Sequence, residues 1–361
     1  MGLSVGIIGL PNVGKTTLLN ALAMTSAEVS NYPFCTKDRN IGVAEVPDER
    51  LTKLREVLKP QSTAPATVTF VDIAGLVRGA SRGEGLGNKF LAHIREADAL
   101  AHVVRCFQDP NVSHVDGAVD PVRDVEVVEA ELILADLEVA ERAIARREKT
   151  VRSGDREAKA ELELLGRVRD ALGRGVPVRS LEVSSEETRV LKGFSFLTAK
   201  PMFYIANTGE DEPSGGELLE RLREAVKGEV LPISAKVEGE IMELEDPEER
   251  KAFLEDLGLE EPGVNRLVRA SYRLLGLITF YTTVHDKLRA WPIPRGTSAQ
   301  EAAGEIHSDM EQGFIRAEVV SWEYLIRTGS WAELHRLGAV RSEGRDYEVQ
   351  DGEVIVFHFR A

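Results

Sequence analysis

Eight residues near the start of the chain, Gly9–Thr16 (GLPNVGKT), match the pattern GxxxxGK(S/T). They lie between an apolar run, LSVGII (3–8), and a helical pattern at 15–24. A glycine-rich turn that opens a helix can wrap a phosphate with backbone N–H groups, and the helix N-terminus adds partial positive charge. Asn12, Val13, Gly14, Lys15, Thr16 and Thr17 are therefore expected to hold nucleotide phosphates. Lys15 would reach the β- and γ-phosphates, in binding and in catalysis, and the Thr16 hydroxyl would ligate magnesium. A later apolar run, TVTFVD (67–72), ends in Asp72-Ile73-Ala74-Gly75. Asp72 would contact magnesium through water, and Gly75 would offer a backbone N–H to a γ-phosphate. Between the motifs, Thr36 in NYPFCTKDRN (31–40) is the candidate to close over the ion from the opposite side.

The base that such a site would read is set further along. GTPases of the translation-factor class carry NKxD after a later strand and an SA-type motif after the next. The corresponding places here hold Asn207-Thr208-Gly209-Glu210, within YIANTGED (204–211), and Ser234-Ala235-Lys236. In NKxD the Asp accepts hydrogen bonds from the guanine ring N–H and exocyclic amine, while the Lys packs along the ring. Thr208 replaces that Lys, and Glu210 is one methylene longer than the Asp. Without the Asp–guanine pair, the discrimination against adenine that a hydrogen-bonding site supplies should be lost. Asn207, Thr208, Glu210, Ser234 and Ala235 are the expected base-end contacts. Where many GTPases follow DxxG with a glutamine that orients water, this chain has Leu76, so that role must move or be weak.

The elements that must position these groups read as an α/β fold. Apolar β-type runs at 3–8, 67–72, 99–105, 201–206 and 230–233 alternate with helical patterns at 48–58, 87–97 and 215–227. Fully apolar strands between helices imply a parallel sheet covered on both faces. From about 121 to 197 the alternation stops. VEVVEAELILADLEVAERAIARREK and REAKAELELLGRVRDALGRG repeat helical spacing, so the expectation is an antiparallel helical hairpin inserted as an arm. From about 278, the runs LITFYTTV, RAWPIP, IRAEVVSW, DYEVQ and VIVFHF surround one helix, SAQEAAGEIHSDM, and predict a small mixed β-rich module.

Taken together, GLPNVGKTT, NYPFCT, DIAGLVRGAS, RCFQDPNVSHVDG, NTGE and IRAEVVSWEYL…DYEVQDGEVIVFHF resemble the YchF family of Obg-like ATPases over essentially the whole chain. The resemblance implies a P-loop nucleotide-binding domain (1–120 and 199–277), a coiled-coil insertion (121–198) and a C-terminal TGS module of β-grasp fold (278–361). It also implies preference for ATP over GTP, magnesium dependence and association with the ribosome. The arm and TGS module would meet the large subunit or the subunit interface. It points to His114 as the residue that orients water. Two stretches depart from the family pattern: FCTKDRN (34–40) replaces FCTIxPN, and Thr208-Gly209 follow the base-reading Asn.

Composition fits a cytoplasmic protein. The chain has 361 residues, 43% hydrophobic and 29% charged, with only two cysteines, Cys35 and Cys106. That argues against a disulfide framework and for a reducing compartment. The N-terminal apolar run lacks a basic flank and reads as a strand, not a signal peptide, and no run is long enough to span a bilayer. A net charge of −15 argues against a duplex-DNA binder. The charge is uneven: residues 140–180 hold 11 Lys/Arg against 7 Asp/Glu, while 238–261 hold 2 against 11. The basic segment could meet RNA, although a charge run is more often a solvated helix face. The leading expectation is a slow, nucleotide-switched ATPase on the ribosome. Alternatives are an Obg-type GTPase, or a nucleotide-gated interaction protein in stress signalling whose hydrolysis is incidental. A small-molecule kinase is disfavoured, because the base-reading motifs belong to switch proteins.

Overall fold

The strands that carry the phosphate and base motifs are apolar along their whole length because they lie inside a sheet. A computed structural model describes residues 4–25, 41–73, 86–115, 117–150, 155–284 and 286–360. In chain order the elements are β1 (Ser4–Ile8), α1 (Lys15–Ala23), β2 (Ile41–Glu45), α2 (Glu49–Leu58), β3 (Ser62–Ala64), β4 (Thr67–Asp72), α3 (Leu86–Glu96) and β5 (Ala99–Cys106). They continue with α4 (Pro121–Thr150), α5 (Arg156–Gly173), α6 (Ser185–Lys192), β6 (Met202–Thr208), α7 (Glu217–Ala225), β7 (Val230–Ile233), α8 (Ala235–Glu243), α9 (Pro247–Asp256) and α10 (Gly263–Leu274). The last stretch holds β8 (Leu277–Val284), β9 (Lys287–Pro294), α11 (Ala299–Ile306), α12 (Ser308–Gln312), β10 (Phe314–Ser321), α13 (Trp322–Thr328), α14 (Trp331–Arg336), β11 (Arg341–Glu343) and β12 (Glu353–Phe359). The chain divides into two compact units, 1–43 with 69–267, and 44–68 with 268–361.

In the first unit the strand order is β2-β4-β1-β5-β6-β7. β1 runs parallel to both β4 and β5, β5 to β6, and β6 to β7. Every residue of β5 and of β6 is buried, as the apolar runs ALAHVVRC and MFYIANT require of interior parallel strands. The segments leaving the carboxyl ends of β1, β5, β6 and β7 therefore collect at one edge, where open α/β sheets bind their ligands.

The inserted arm is built as the helical spacing predicts. α4 and α5 pack along one another around Ile133, Ala140, Leu164, Leu165, Val168 and Phe196. Arg147 in the last turn of α4 pairs with Glu161 early in α5, which fixes the antiparallel sense. The base of the arm is bolted to the turn before β6. Asp136 of α4 accepts from the backbone N–H groups of Leu197 and Thr198 at 2.8 and 2.7 Å and from the Thr198 hydroxyl at 2.7 Å. Burial holds the Asp136 carboxyl above the usual carboxylate range, against the pull of these donors.

The second unit carries the β-grasp arrangement. Its strand order is β11-β10-β12-β8-β9-β3, with β8–β9 and β10–β12 antiparallel and β12–β8 parallel. α11 lies over one face, with Ala302 and Ala303 against Phe280, Ile293, Val319 and Phe357. Residues 44–68, placed by the sequence in the nucleotide-binding domain, pack here instead. β3 extends the sheet by pairing with β9, and α2 packs against α13. Asp48, the N-cap of α2, accepts a hydrogen bond from the Tyr281 hydroxyl, and Arg50 Nη1 lies 2.8 Å from Asp351 Oδ2. Two further expectations for this module are corrected. DYEVQ forms only one isolated bridge, Glu348 to Ser298, because the partner segment turns into α11 at Ser298 and the pairing cannot extend. SAQEAAGEIHSDM breaks at His307, whose backbone is extended, into α11 and α12.

Candidate functional site

The phosphate turn is held open by backbone that only certain residues adopt. Gly14, the N-cap of α1, has φ of 97°, and a Cβ there would meet Asn207 Nδ2 at 2.2 Å. Gly9 has φ of 148° and lies so close to β5 that a Cβ would meet the Val103 carbonyl oxygen at 2.4 Å. Asn12 also takes a positive φ, 59°, which Asn tolerates better than most residues. Lys15 folds back into this turn. Its ammonium donates to the Leu10 and Gly9 carbonyls at 2.8 and 3.2 Å. Burial lowers its pKa to about 8, and the nearby Asp72 carboxylate opposes that fall. Among the described residues the lysine thus donates hydrogen bonds to neutral carbonyls alone, with the Asp72 carboxylate nearby, and a polyphosphate would satisfy the rest of its charge.

Thr16 and Asp72 come together at the other side of the turn. The Thr16 hydroxyl donates to Asp72 Oδ2 at 2.8 Å, while Asp72 Oδ1 is buried without a hydrogen-bond partner. An orphaned carboxylate oxygen beside a threonine hydroxyl fits a hydrated magnesium ion, which keeps several waters and takes few protein ligands. Among the described residues no cluster of three or more His, Cys, Asp or Glu offers an alternative metal site. Thr36 and Gly75 lie outside the described residues.

At the base end the structure gives different work to Asn207, Thr208 and Glu210 of NTGE. Asn207 is buried and bridges two motifs: its Nδ2 donates to the Val13 carbonyl at 2.7 Å, and its Oδ1 accepts from the Ala235 N–H at 2.9 Å. Both ends of the amide are occupied by the protein, so Asn207 positions the phosphate turn and the start of α8 relative to each other. Thr208 is also buried and donates to the Pro213 carbonyl at 2.9 Å, which closes its own loop. Glu210 is exposed and forms an ion pair of 2.7 Å with Lys236.

These parts border one cavity of about 640 Å³. Asn12, Gly14, Lys15, Thr16 and Thr17 line its phosphate end, and Asn207, Thr208, Glu210, Ser234 and Ala235 its base end. Val13 is not in the lining; it contributes the carbonyl that Asn207 holds. The sequence reading missed one wall, Phe107–Pro110 and Val112, supplied by the loop after β5. Its position at the carboxyl end of an interior strand was the available signal. It also gave Lys236 no role, although Lys236 lines the cavity and masks Glu210. His114 sits apart from this lining. Its side chain is 4% exposed, with Nε2 at 2.8 Å from Asp124 Oδ2 in the first turn of α4. His102 is buried within β5, and burial lowers its pKa to about 3, so it stays neutral.

The geometry agrees with what comparison finds. "Ribosome-binding ATPase YchF" of Bacillus subtilis is 50% identical over 365 residues, covering 99% of this chain and 100% of that protein. The chain belongs to the YchF family. A YchF relative from Escherichia coli O157:H7, of the same name, is 50% identical over 362 residues and 99% of each chain. The family model YchF-GTPase_C, described as "Protein of unknown function (DUF933)", matches residues 277–360. MMR_HSR1, "50S ribosome-binding GTPase", matches residues 4–138. Among solved structures, "Structure of the Schizosaccharomyces pombe YchF GTPase" superposes with a TM-score of 0.88 at 32% identity, covering 99% of this chain and 98% of that one. The YchF fold therefore extends over both units.

Proposed function

We propose that this chain is a magnesium-dependent ATPase that binds the ribosome and uses the bound nucleotide as a switch, with GTP bound comparably or more weakly. The observation that carries the reading is one cavity that joins the phosphate turn to the NTGE loop, with Thr16 in its lining and Asp72 behind it as the acceptor of the Thr16 hydroxyl. Lys15 and the N-terminus of α1 hold the phosphates. Thr16 would ligate magnesium directly and Asp72 through water, and the ion would neutralise charge on the β- and γ-phosphates. At the base end, Thr208 turns into its own loop, and Glu210, one methylene longer than the Asp of NKxD, stands exposed beside Lys236, so it is not a carboxylate fixed by burial in the place of the guanine-reading Asp. That supports acceptance of adenine. His114 orients the attacking water only after leaving Asp124, so hydrolysis waits on a rearrangement of the 107–120 loop and is slow.

The names of the relatives support ribosome binding, and the charge pattern supports the arm as its carrier. Arg142 and Arg146 are exposed on α4, and Arg156 is exposed at the start of α5; Arg152 lies outside the described residues. Among the described residues no helix is long and apolar enough to cross a membrane, and a cytoplasmic location follows from a ribosomal partner. Co-sedimentation with ribosomes tests the reading. Charge reversal of Arg146, Arg147 and Arg152 should weaken it and flatten its salt dependence, while ATP binding stays unchanged. Association that survives the triple reversal and high salt would reduce the basic run to a solvated helix face.

A further inference from the structure

A second cavity, of about 660 Å³, lies on the arm and shares no lining residue with the nucleotide cavity. One wall is a face of α4: Val139, Arg142, Ala143, Arg146 and Arg147, at the three- and four-residue spacing that places side chains on one side of a helix. The other wall is Glu161 and the turn Gly193–Phe194 after α6. The floor is apolar, since Val139, Ala143 and Phe194 all pack against the arm's core. The rim is cationic, with three arginines against one glutamate, on a chain whose net charge is −15. Glu161 is paired with Arg147. Glu138 stands 3.6 Å from Arg142, but both side chains are more than half exposed, and such a pair holds its arginine weakly.

The aromatic ring is fixed in place. Phe194 lies against Phe196 with ring centroids 5.7 Å apart and planes 30° apart. The turn that presents it is held by hydrogen bonds from the N–H groups of Gly193, Phe194 and Ser195 to Val190, Leu191 and Lys192. It contains a strained residue, Ser195, with φ of 52°. Gly193 puts no side chain beside the ring.

We propose that this groove is a subsite for one unpaired nucleotide of RNA, its base against Phe194 and its phosphate on Arg142 and Arg146. This deepens the ribosome-binding reading and rests on it. Unpaired bases are recognised by stacking on aromatic side chains and guanidinium planes, with cations along the backbone. The combination of a flat apolar floor and a one-sided arginine rim fits that ligand. The volume lies in the range of small-molecule pockets and is too small for a duplex. An acidic peptide would use the arginines but would have no need of the ring.

The test uses the full chain with magnesium and ATP, and a fluorescent ten-nucleotide unpaired RNA read by anisotropy at several salt concentrations. Phe194→Leu keeps apolar bulk in the arm but removes the π-face, and should weaken binding roughly tenfold with the salt slope unchanged. Arg142→Gln with Arg146→Gln changes only exposed positions and should flatten the log–log salt slope by about 1.4, two single-strand phosphate contacts. Equal binding by wild type and both variants overturns the proposal. So does a duplex that binds as tightly as the single strand. Displacement of the RNA by polyglutamate, together with a neutral Phe194→Leu, would make the groove an acidic-peptide site instead. Ribosome co-sedimentation of the same proteins separates the two claims. Variants that lose the oligonucleotide yet sediment fully with ribosomes contradict a ribosomal role for the groove and leave the ribosome reading intact. Wild type that fails to sediment contradicts that reading, while the oligonucleotide series still decides the subsite.

Discussion

Asn207→Ala is the substitution that most sharply separates a structural bridge from a base contact. Asn207 is 5% exposed and makes two hydrogen bonds, 2.7 Å to the Val13 carbonyl and 2.9 Å from the Ala235 N–H. Alanine removes both and leaves one buried acceptor and one buried donor. Ala235 opens α8, and its N-cap, Ser234, makes no side-chain capping bond, so nothing nearby takes over the freed N–H. Each unsatisfied group costs about 1–3 kcal/mol. Water entering from the adjoining cavity offsets part of this, which puts the expected loss near the lower end, about 2–3 kcal/mol in all. For a unit of this size, that is a fall of about 4–12 °C in the melting temperature of the first unit. ATP affinity should fall as well, because Val13 and Gly14 lose the clamp that fixes their backbone. Scanning calorimetry of wild type and variant, with and without ATP and magnesium, measures both effects. A variant that melts within a degree of wild type in the absence of nucleotide, and loses only affinity, would refute the bridge and make Asn207 a simple base contact.

Two further outcomes follow from the same geometry. Lys15, with its pKa lowered to about 8 by burial, binds fewer protons in the folded chain than in the unfolded one between about pH 8 and 10.5. Stability of the nucleotide-free protein should therefore gain from this group as pH rises through that window, while ATP, which needs the charged lysine, binds more weakly. At pH 8.5 ATP binding should be accompanied by proton uptake, read by calorimetry in buffers of different ionisation enthalpy; uptake near zero would mean that Lys15 is already fully charged. His114→Ala should lower turnover and leave ATP affinity within a few-fold, since the residue is proposed to act on water and not on the ground-state phosphates. Unchanged turnover would remove the histidine from the mechanism and leave it as the partner of Asp124.

The phosphate half of the site was legible in the sequence because it is contiguous. Gly9–Thr16 joins a strand to a helix within eight residues, and Asp72 ends the next strand of the same sheet. The base half was legible only as a pattern. NTGE marks the loop, but nothing in the sequence says that Asn207 turns its amide towards Val13 and Ala235, or that Lys236 covers Glu210. Those are contacts across 194, 28 and 26 residues, set by how β6 and α8 lie beside the phosphate turn. The long helices of the arm were visible through periodicity. α2 and β3 were misplaced because their partners, α13 and β9, lie more than two hundred residues downstream. β2, α8 and α9 went unread, as did α13 and α14, where short stretches give little periodic signal; α10, twelve residues with clear helical spacing, was legible in the sequence and was passed over.

The central claim is that the altered NTGE loop leaves this P-loop site open to adenine. Isothermal titration of ATP and of GTP into the same nucleotide-free, magnesium-loaded preparation tests it most directly. ATP should bind at least as tightly as GTP. A tenfold preference for GTP, about 1.4 kcal/mol, would contradict the account.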